Sequence, residues 1–297
     1  MATPDQPALR AESVAAAPSR RGHLALGPPT AAWALRLILF VFCGFPLYWM
    51  IVSSLKLPTE LLVTPPTLWP RELSLRTYEK LFAETNFLTY FWNSIVVSGV
   101  TTVVVVLLAC LGAYSLTRYR FPGREHVAKL LLLVYMFPPI ILVVPLFMFA
   151  HQLGLTNSRV GVSLAYISFA LPYALWILRA FFQSLPVELE EAAMTDGASR
   201  LQACVYVVVP LALPGVIATA IFTFIVAWND FLFAAVLTGR DELKTLPVGI
   251  NDFFYMSLID WGLVMAAGVM VTLPTLVLFV LVQQYLVAGW GTGGVKG

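Results

Sequence analysis

The chain has 297 residues, of which 59% are hydrophobic and 11% charged, with a formal net charge of +2 and a mean hydropathy of +0.83. Soluble domains carry roughly 25% charged residues, so a water-soluble fold could not hide this much apolar surface, and the small net charge argues against a nucleic-acid partner. Cys43, Cys110 and Cys204 lie far apart, without a C-x-x-C pair or a histidine cluster, which indicates neither a disulfide framework nor a metal site.

Residues 1–30 are rich in Ala and Pro, carry Arg10, Arg20 and Arg21, and lack apolar periodicity, which reads as a disordered cytoplasmic leader. Six apolar runs follow, at about Ala31–Ser54, Phe91–Leu116, Val127–Ala150, Gly161–Phe182, Pro214–Leu237 and Gly262–Val287. The first is too long for the h-region of a secretory signal peptide. Each suits a span, since about 20 residues at 1.5 Å rise cross a hydrocarbon core of roughly 30 Å. Backbone groups in lipid must be satisfied within their own segment, so all six are predicted to be helices. Pro46, Pro138, Pro139, Pro145, Pro172 and Pro274 fall inside or beside these runs. They read as packing kinks that neighbouring helices tolerate, the alternative being broken helices that line a pathway.

Six spans put both termini on one side. That side holds Arg20, Arg21, Arg118, Arg120, Arg124, Lys129, Arg179 and Arg200, whereas the short loop Ala150–Val160 on the other side holds only Arg159. The excess of Lys and Arg marks the cytoplasmic face. The longer outer loop from Lys56 to Asn86 also carries Arg71, Arg76 and Lys80, but long loops weigh less in this rule.

Between the fourth and fifth runs lies a polar island, Glu191-Ala192-Ala193-Met194-Thr195-Asp196-Gly197, followed after Ala198–Tyr206 by Val207-Val208-Val209-Pro210. Pro186 suits a helix first turn, and Glu188, Glu190 and Glu191 sit near the positive end of the helix dipole. Gly197 permits a sharply turned backbone and Ser199 can cap a second helix through Arg200–Tyr206. The spacing therefore predicts a helix-turn-helix standing off the membrane, with an ordinary pair of interfacial amphipathic helices as the alternative.

This island resembles the EAA loop of ATP-binding-cassette importer permeases, with Val207 and Val209 where Ile and Leu are usual. Further segments are similar to carbohydrate-importer permeases of the maltose-type second-subunit family: Ala113–Arg124, Trp228-Asn229-Asp230-Phe231, Thr245-Leu246-Pro247-Val248-Gly249 and the tail Gly293–Gly297. The resemblance implies an all-α integral membrane protein of the type I importer permease fold, with six transmembrane helices over 31–297 and a cytoplasmic coupling loop at 186–214. It implies that Glu191, Ala192, Ala193, Asp196, Gly197 and Pro210 build the contact with an ATPase subunit, the glutamate facing a basic group there and the glycine making the bend. The implied partners are a second, homologous permease, two ATP-binding subunits that hold ATP and Mg, an extracytoplasmic sugar-binding protein, and lipid. The location would be a bacterial or archaeal cytoplasmic membrane with both termini inside.

The chain itself has no G-x-x-x-x-G-K-S/T loop, no G-x-S-x-G elbow and no H-E-x-x-H, so it carries no recognisable nucleotide site or catalytic cluster. No cofactor is expected on it, and energy would come from a partner. Asp230 is the acid deep in a predicted span, where a charge costs about 2.5–3.5 kcal/mol on insertion scales. It therefore faces protein or a water-filled cavity. With Trp228 and Asn229 it could stack on and hydrogen-bond a sugar, or it could bond a partner permease; Tyr135, before Pro138, is a further pathway candidate. The outer loop Thr238–Trp261 mixes Arg240, Asp241, Glu242, Lys244, Asp252 and Asp260 with Phe253, Phe254 and Tyr255. It reads either as a face toward the solute-binding protein or as a solvated connector with an aromatic belt. A permease for a polyamine or glycerophosphate is the alternative within the family, and an ion-coupled secondary transporter the alternative outside it.

Overall fold

The computed structural model describes residues 29–255 and 259–291. The expected leader at 1–30, except Pro29 and Thr30, and the tail Gly293–Gly297 lie outside them. The described residues are mostly helical, with no strand among them. In chain order the helices are α1 (Pro29–Ser54), α2 (Pro58–Leu61), α3 (Arg76–Ala83), α4 (Phe87–Arg118), α5 (Arg124–Tyr135), α6 (Pro139–Gln152) and α7 (Arg159–Gln183). Then come α8 (Glu188–Thr195), α9 (Arg200–Ala203), α10 (Val209–Leu211), α11 (Leu213–Asn229), α12 (Leu232–Leu237), α13 (Leu246–Asn251) and α14 (Trp261–Gly291).

Contacts fall into two units divided between Pro46 and Leu47. In the first, the Arg36 guanidinium lies 4.8 Å over the Trp33 ring, which gives this charge a partner within an otherwise apolar helix. In the second, α4 packs along α7 and α11, α11 also against α14, and α5 against α7. One core joins Val105, Ala109 and Ala113 of α4 to Ala170, Ala174 and Leu178 of α7. Another joins α6, the front of α7 and α12, and a third joins α3, α13 and the front of α14 around Trp228.

The interior of this unit is smaller and more polar than its outside. Ser94, Ser98, Thr101, Thr219 and Thr223 are buried in helix interfaces, whereas Val103, Leu107, Val144, Phe149, Phe279 and Val280 are exposed. A protein in water would place them the other way round. Small hydroxyl residues inside let helices approach closely when the surroundings are as apolar as the helices themselves, which is the pattern of an integral membrane protein.

By length and composition four helices, α1, α4, α7 and α14, could each cross a membrane unbroken. The third and fifth expected spans are interrupted. Residues 124–152 form α5 and α6, bent by 97°, because Pro139 removes an amide donor and pushes Pro138 to an extended ψ of 121°. The fifth run stops at Asn229, where Asp230 turns extended at ψ 127°, and resumes as α12. A further bend of 82° separates residues 200–211 from α11. Pro46, Pro145, Pro172 and Pro274 do lie inside continuous helices, so the kink reading fails only at Pro138 and Pro139.

The segment after α1 is held by two buried charges. Lys56 is 2% exposed; it donates to the Thr67 carbonyl and lies 4.7 Å over the Trp49 ring. Glu60 accepts from Thr67 Oγ1 at 2.6 Å and from the Arg71 N–H at 3.1 and 3.2 Å. The Thr67 hydroxyl above all, helped by the Arg71 amide against the cost of burial, holds the Glu60 carboxyl below its ordinary value. Its contribution to loop order is therefore present above the ordinary glutamate range and lost as pH falls through the lowered value. A spin label replacing exposed Leu73 is expected to gain mobility as pH is taken below the ordinary glutamate range, and to be mobile throughout in Glu60→Ala. Mobility that is independent of pH in the parent would refute this.

The loop after α12 is folded onto α4. Asn93 donates to the carbonyls of Glu242 and Lys244 at 2.8 and 2.9 Å, and Ser94 accepts from the Leu246 amide at 2.7 Å. A Cβ on Gly249 would stand 2.0 Å from Tyr90 Cδ2, and Tyr90 is 5% exposed and cannot retreat. Gly249→Ala is expected to cost about 1–3 kcal/mol, read as a lower Tm in detergent. Gly99→Ala, where nothing lies within 4 Å, should leave Tm unchanged or higher.

Candidate functional site

The polar segment 186–214 is a sequence of helix stops. α8 ends at Thr195 and closes with two main-chain bonds, Ala198 N–H to Ala193 O at 3.0 Å and Gly197 N–H to Met194 O at 3.1 Å. These bonds satisfy carbonyls the helix leaves unpaired, and require a left-handed residue just past the end. Gly197 supplies it at φ +96°, and Asp196 contributes through its N–H to Ala192 O at 3.0 Å. Ser199 then opens α9 with a full capping box: its hydroxyl accepts from the Gln202 N–H, and its own N–H donates to Gln202 Oε1 at 2.8 Å. The expected turn at Gly197 and cap at Ser199 are both observed.

The second helix does not run straight into the fifth span. Pro210 has no N–H for the Tyr206 carbonyl, and one residue earlier the Val209 amide reaches back five residues to Cys204 O, giving a π-helical turn over Cys204–Val208. Cys204 and Val208 are buried in the α4–α7 core, so the segment is stitched into the bundle before α11 begins.

The faces of α8 divide cleanly. Glu188, Glu191, Ala192 and Thr195, at spacings of three and four residues, are exposed, whereas Glu190 is buried and Ala193 and Met194 are half-buried. Glu190 pairs with Arg118 at the end of α4, the two side chains being 4% and 8% exposed. The expectation grouped Glu190 with the other acids of the first turn; the structure sets it apart. The available signal was spacing: adjacent glutamates on a helix point about 100° apart, so one of them turns inward. Beside the segment, the Arg200 guanidinium lies 5.3 Å over the Tyr119 ring.

The second group of expected residues is dispersed. Trp228 is fully buried; its indole N–H donates to Val271 O at 3.2 Å and its ring packs on Phe91 and Phe224 at centroid distances of 5.5 and 5.6 Å. It is a core residue, not one free to stack on a ligand, because the largest side chain of α11 fills the space toward α14. Asn229 is exposed and donates to Ile225 O of its own helix at 2.9 Å. Asp230 and Tyr135 do meet, on a cavity of about 220 Å³ also lined by Tyr166, Phe169, Phe222 and Phe233. This cavity sits where the α5–α6 bend and the α11–α12 break converge. The lining rings are stacked, Phe169 on Phe233 at 4.4 Å, with Tyr135 and Phe222 bridged by Tyr173 behind them at 4.9 and 4.2 Å.

Asp230 has a structural task there. Its Oδ1 accepts from the amides of Phe233 and Ala234 at 3.0 and 3.5 Å, which makes the carboxylate the cap of α12, and Tyr166 donates to its main-chain oxygen at 3.3 Å. Apart from Tyr135, the aromatic members escaped sequence reasoning, since rings from α7, α11 and α12 meet only through packing. Among the described residues no group of three His, Cys, Asp or Glu could hold a metal ion.

The loop between α12 and α14 is held by ion pairs: Lys244 Nζ lies 2.7 Å from both Asp241 and Asp252, and Lys80 of α3 lies 2.6 Å from Asp260. The two carboxylates raise the Lys244 pKa. Phe253 is buried in the third core while Tyr255 is 80% exposed.

Comparison with known proteins gives concordant matches. Residues 106–290 match the family described as "Binding-protein-dependent transport system inner membrane component". The chain is 40% identical over 255 residues to the inner membrane ABC transporter permease protein YcjP of Escherichia coli (strain K12), covering 85% of this chain and 91% of that protein. It is 37% identical over 264 residues to the trehalose/maltose transport system permease protein MalG of Thermococcus litoralis, covering 88% and 94%. Among solved structures, a chain of a bacterial ABC transporter involved in the import of the acidic polysaccharide alginate superposes with a TM-score of 0.78 at 23% identity, covering 86% of this chain and 95% of that one, a likeness of fold.

If capping is the role of Asp230, Asp230→Ala should lower stability by about 1 kcal/mol and Asp230→Asn by well under half of that, measured as Tm in detergent. Equal losses would show that charge, and not the cap, matters.

Proposed function

The chain belongs to the family of binding-protein-dependent transport system inner membrane components, and from that membership we propose that it is the permease subunit of an ATP-driven importer for a sugar. The importer would contain a second, homologous permease, two ATP-binding subunits carrying ATP and Mg, and an extracytoplasmic binding protein that delivers the sugar. The observation that carries the reading is the division of α8, with one face fixed to the bundle and the other, Glu188, Glu191, Ala192 and Thr195, left exposed. That face belongs to the side of the chain that the excess of Lys and Arg in the short loops, Arg118, Arg120, Arg124 and Arg200 among them, assigns to the cytoplasm.

In operation, the ATPase cleft would receive α8, with Glu191 toward a basic group and Ala192 allowing close approach. Gly197 and the capping box at Ser199 keep α8 at a fixed angle to the segment that leads into α11. Closure of the ATPase pair on ATP would then displace these helix ends and change which side of the membrane the pathway opens to. Sugar as the cargo is supported by the trehalose/maltose relative and by the ring-lined cavity, whose aromatic faces suit the C–H faces of a pyranose while Asp230 and the tyrosine hydroxyls suit its edge. A polyamine is the second reading, because a carboxylate among aromatic rings also suits a cation.

The test is uptake into proteoliposomes holding this chain with its co-purified partners, using radiolabelled trehalose, maltose and spermidine. ATP-dependent uptake of a disaccharide is expected, with ATPase activity stimulated by the binding protein and lost by about tenfold or more in Glu191→Ala while assembly is retained. Spermidine uptake alone would replace the sugar reading, and uptake driven by an ion gradient without ATP would replace the importer reading. Unchanged stimulation in Glu191→Ala would sink the docking role of α8.

A further inference from the structure

The pairing of Glu190 with Arg118 is more than a local detail of the segment. α8 has eight residues, too few to be a rigid body by itself, so a force applied to its exposed face moves only what is firmly tied to it. The chain ties it to two long helices: residues 184–187 lead back to α7, and α9, the π turn and α10 lead on to α11. α4, the helix that packs along both of these, has no such connection. Its last residue, Arg118, makes one. The guanidinium bonds the Glu190 carboxylate through Nε and the Leu185 carbonyl through Nη2, the latter at 3.3 Å, so a single side chain grips both α8 and the turn that leads into it.

The chemistry of the tie is informative. Both side chains are removed from water, at 8% and 4% exposure, and a buried ion pair is a poor device for stability alone, because apolar residues of the same size often serve as well or better. It is a good device for fixing geometry, since charge-assisted bonds from a planar guanidinium are directional while apolar surfaces slide. The two other acids of the α8 first turn remain exposed and play no part in it.

We propose that Arg118 and Glu190 are positioning residues that couple α4 to α8, so that a displacement of α8 moves α4, α7 and α11 together and hydrolysis is converted into opening of the pathway. The proposal rests on the reading of α8 as the element an ATPase subunit engages. Removing the tie should therefore leave docking and hydrolysis in place and lose the transport that hydrolysis ought to drive.

The experiment measures ATP hydrolysis and uptake together in proteoliposomes of the assembled complex, with trehalose and maltose as probes, for the parent, Glu190→Gln, Glu191→Ala and the exchange Arg118→Glu with Glu190→Arg. Glu190→Gln keeps the size of the side chain and a hydrogen-bond acceptor while removing its charge. It is expected to assemble, to keep binding-protein-stimulated hydrolysis within about threefold, and to lose roughly tenfold or more in uptake per ATP, the scale of coupling change made by residues that touch neither ligand. The exchanged pair should regain at least part of that ratio, which a residue needed only for folding would not do. Glu191→Ala separates the two claims: if it leaves stimulation intact, the docking reading has failed, whereas an unchanged uptake-to-hydrolysis ratio in Glu190→Gln overturns only the tie. Loss of assembly in Glu190→Gln, or an exchange no better coupled than the single variant, also overturns it by reducing the pair to a structural role.

Discussion

Every main-chain N–H and C=O in a lipid-surrounded segment must find its partner inside the protein, because hydrocarbon offers none and each unsatisfied group costs several kcal/mol. The long helices α4, α7 and α14 meet this requirement within themselves. Interruptions are therefore the informative places, since each must be repaired by something else. At the α5–α6 bend the proline pair removes donors that would otherwise be left unpaired, and at the α11–α12 break the Asp230 carboxylate takes two amides of the resumed helix. Both repairs border one cavity, and irregular backbone at membrane depth is tolerated where it lines such a space.

The same accounting explains the polar segment. The breaks between α8, α9 and α11 leave main-chain groups without partners in their own helix, and the Gly197 turn, the Ser199–Gln202 box and the π turn before Pro210 satisfy several of them in order. A cap contributes about 1 kcal/mol, whereas removing one member of a buried ion pair costs roughly 3–5 kcal/mol. The orientation of α8 against the bundle thus depends more on Arg118 and Glu190 than on any turn. The turns set the path of the chain, and the ion pair sets where α8 is held.

The cavity and the polar segment are linked through shared helices. α7 contributes Tyr166, Phe169 and Tyr173 to the ring-lined region and ends beside α8; α11 begins where the π turn ends and carries Phe222 to the cavity. Trp228, on the same helix, faces away into the α14 contact, where its indole N–H is satisfied by Val271, and so serves to fix α11 against α14 instead of meeting a solute.

Membership of a membrane class, the positions of the long helices and the helix-turn-helix at Glu191–Gly197 were all legible in the sequence, because they follow from rules that act along the chain. Apolar length sets a span, a glycine past a helix end permits a left-handed residue, and Ser199 with Gln202 at the next turn forms a box. Which adjacent glutamate turns inward, which proline breaks a helix and which merely bends one, and whether Trp228 or Tyr135 reaches the cavity were decided only in the tertiary structure. Those outcomes depend on what stands opposite each side chain. Arg118 is 72 residues from Glu190, Asp230 is 64 from Tyr166, and no pattern along one helix specifies the neighbour it will pack against. Local backbone chemistry is written in sequence order, while burial and pairing are properties of the packed bundle.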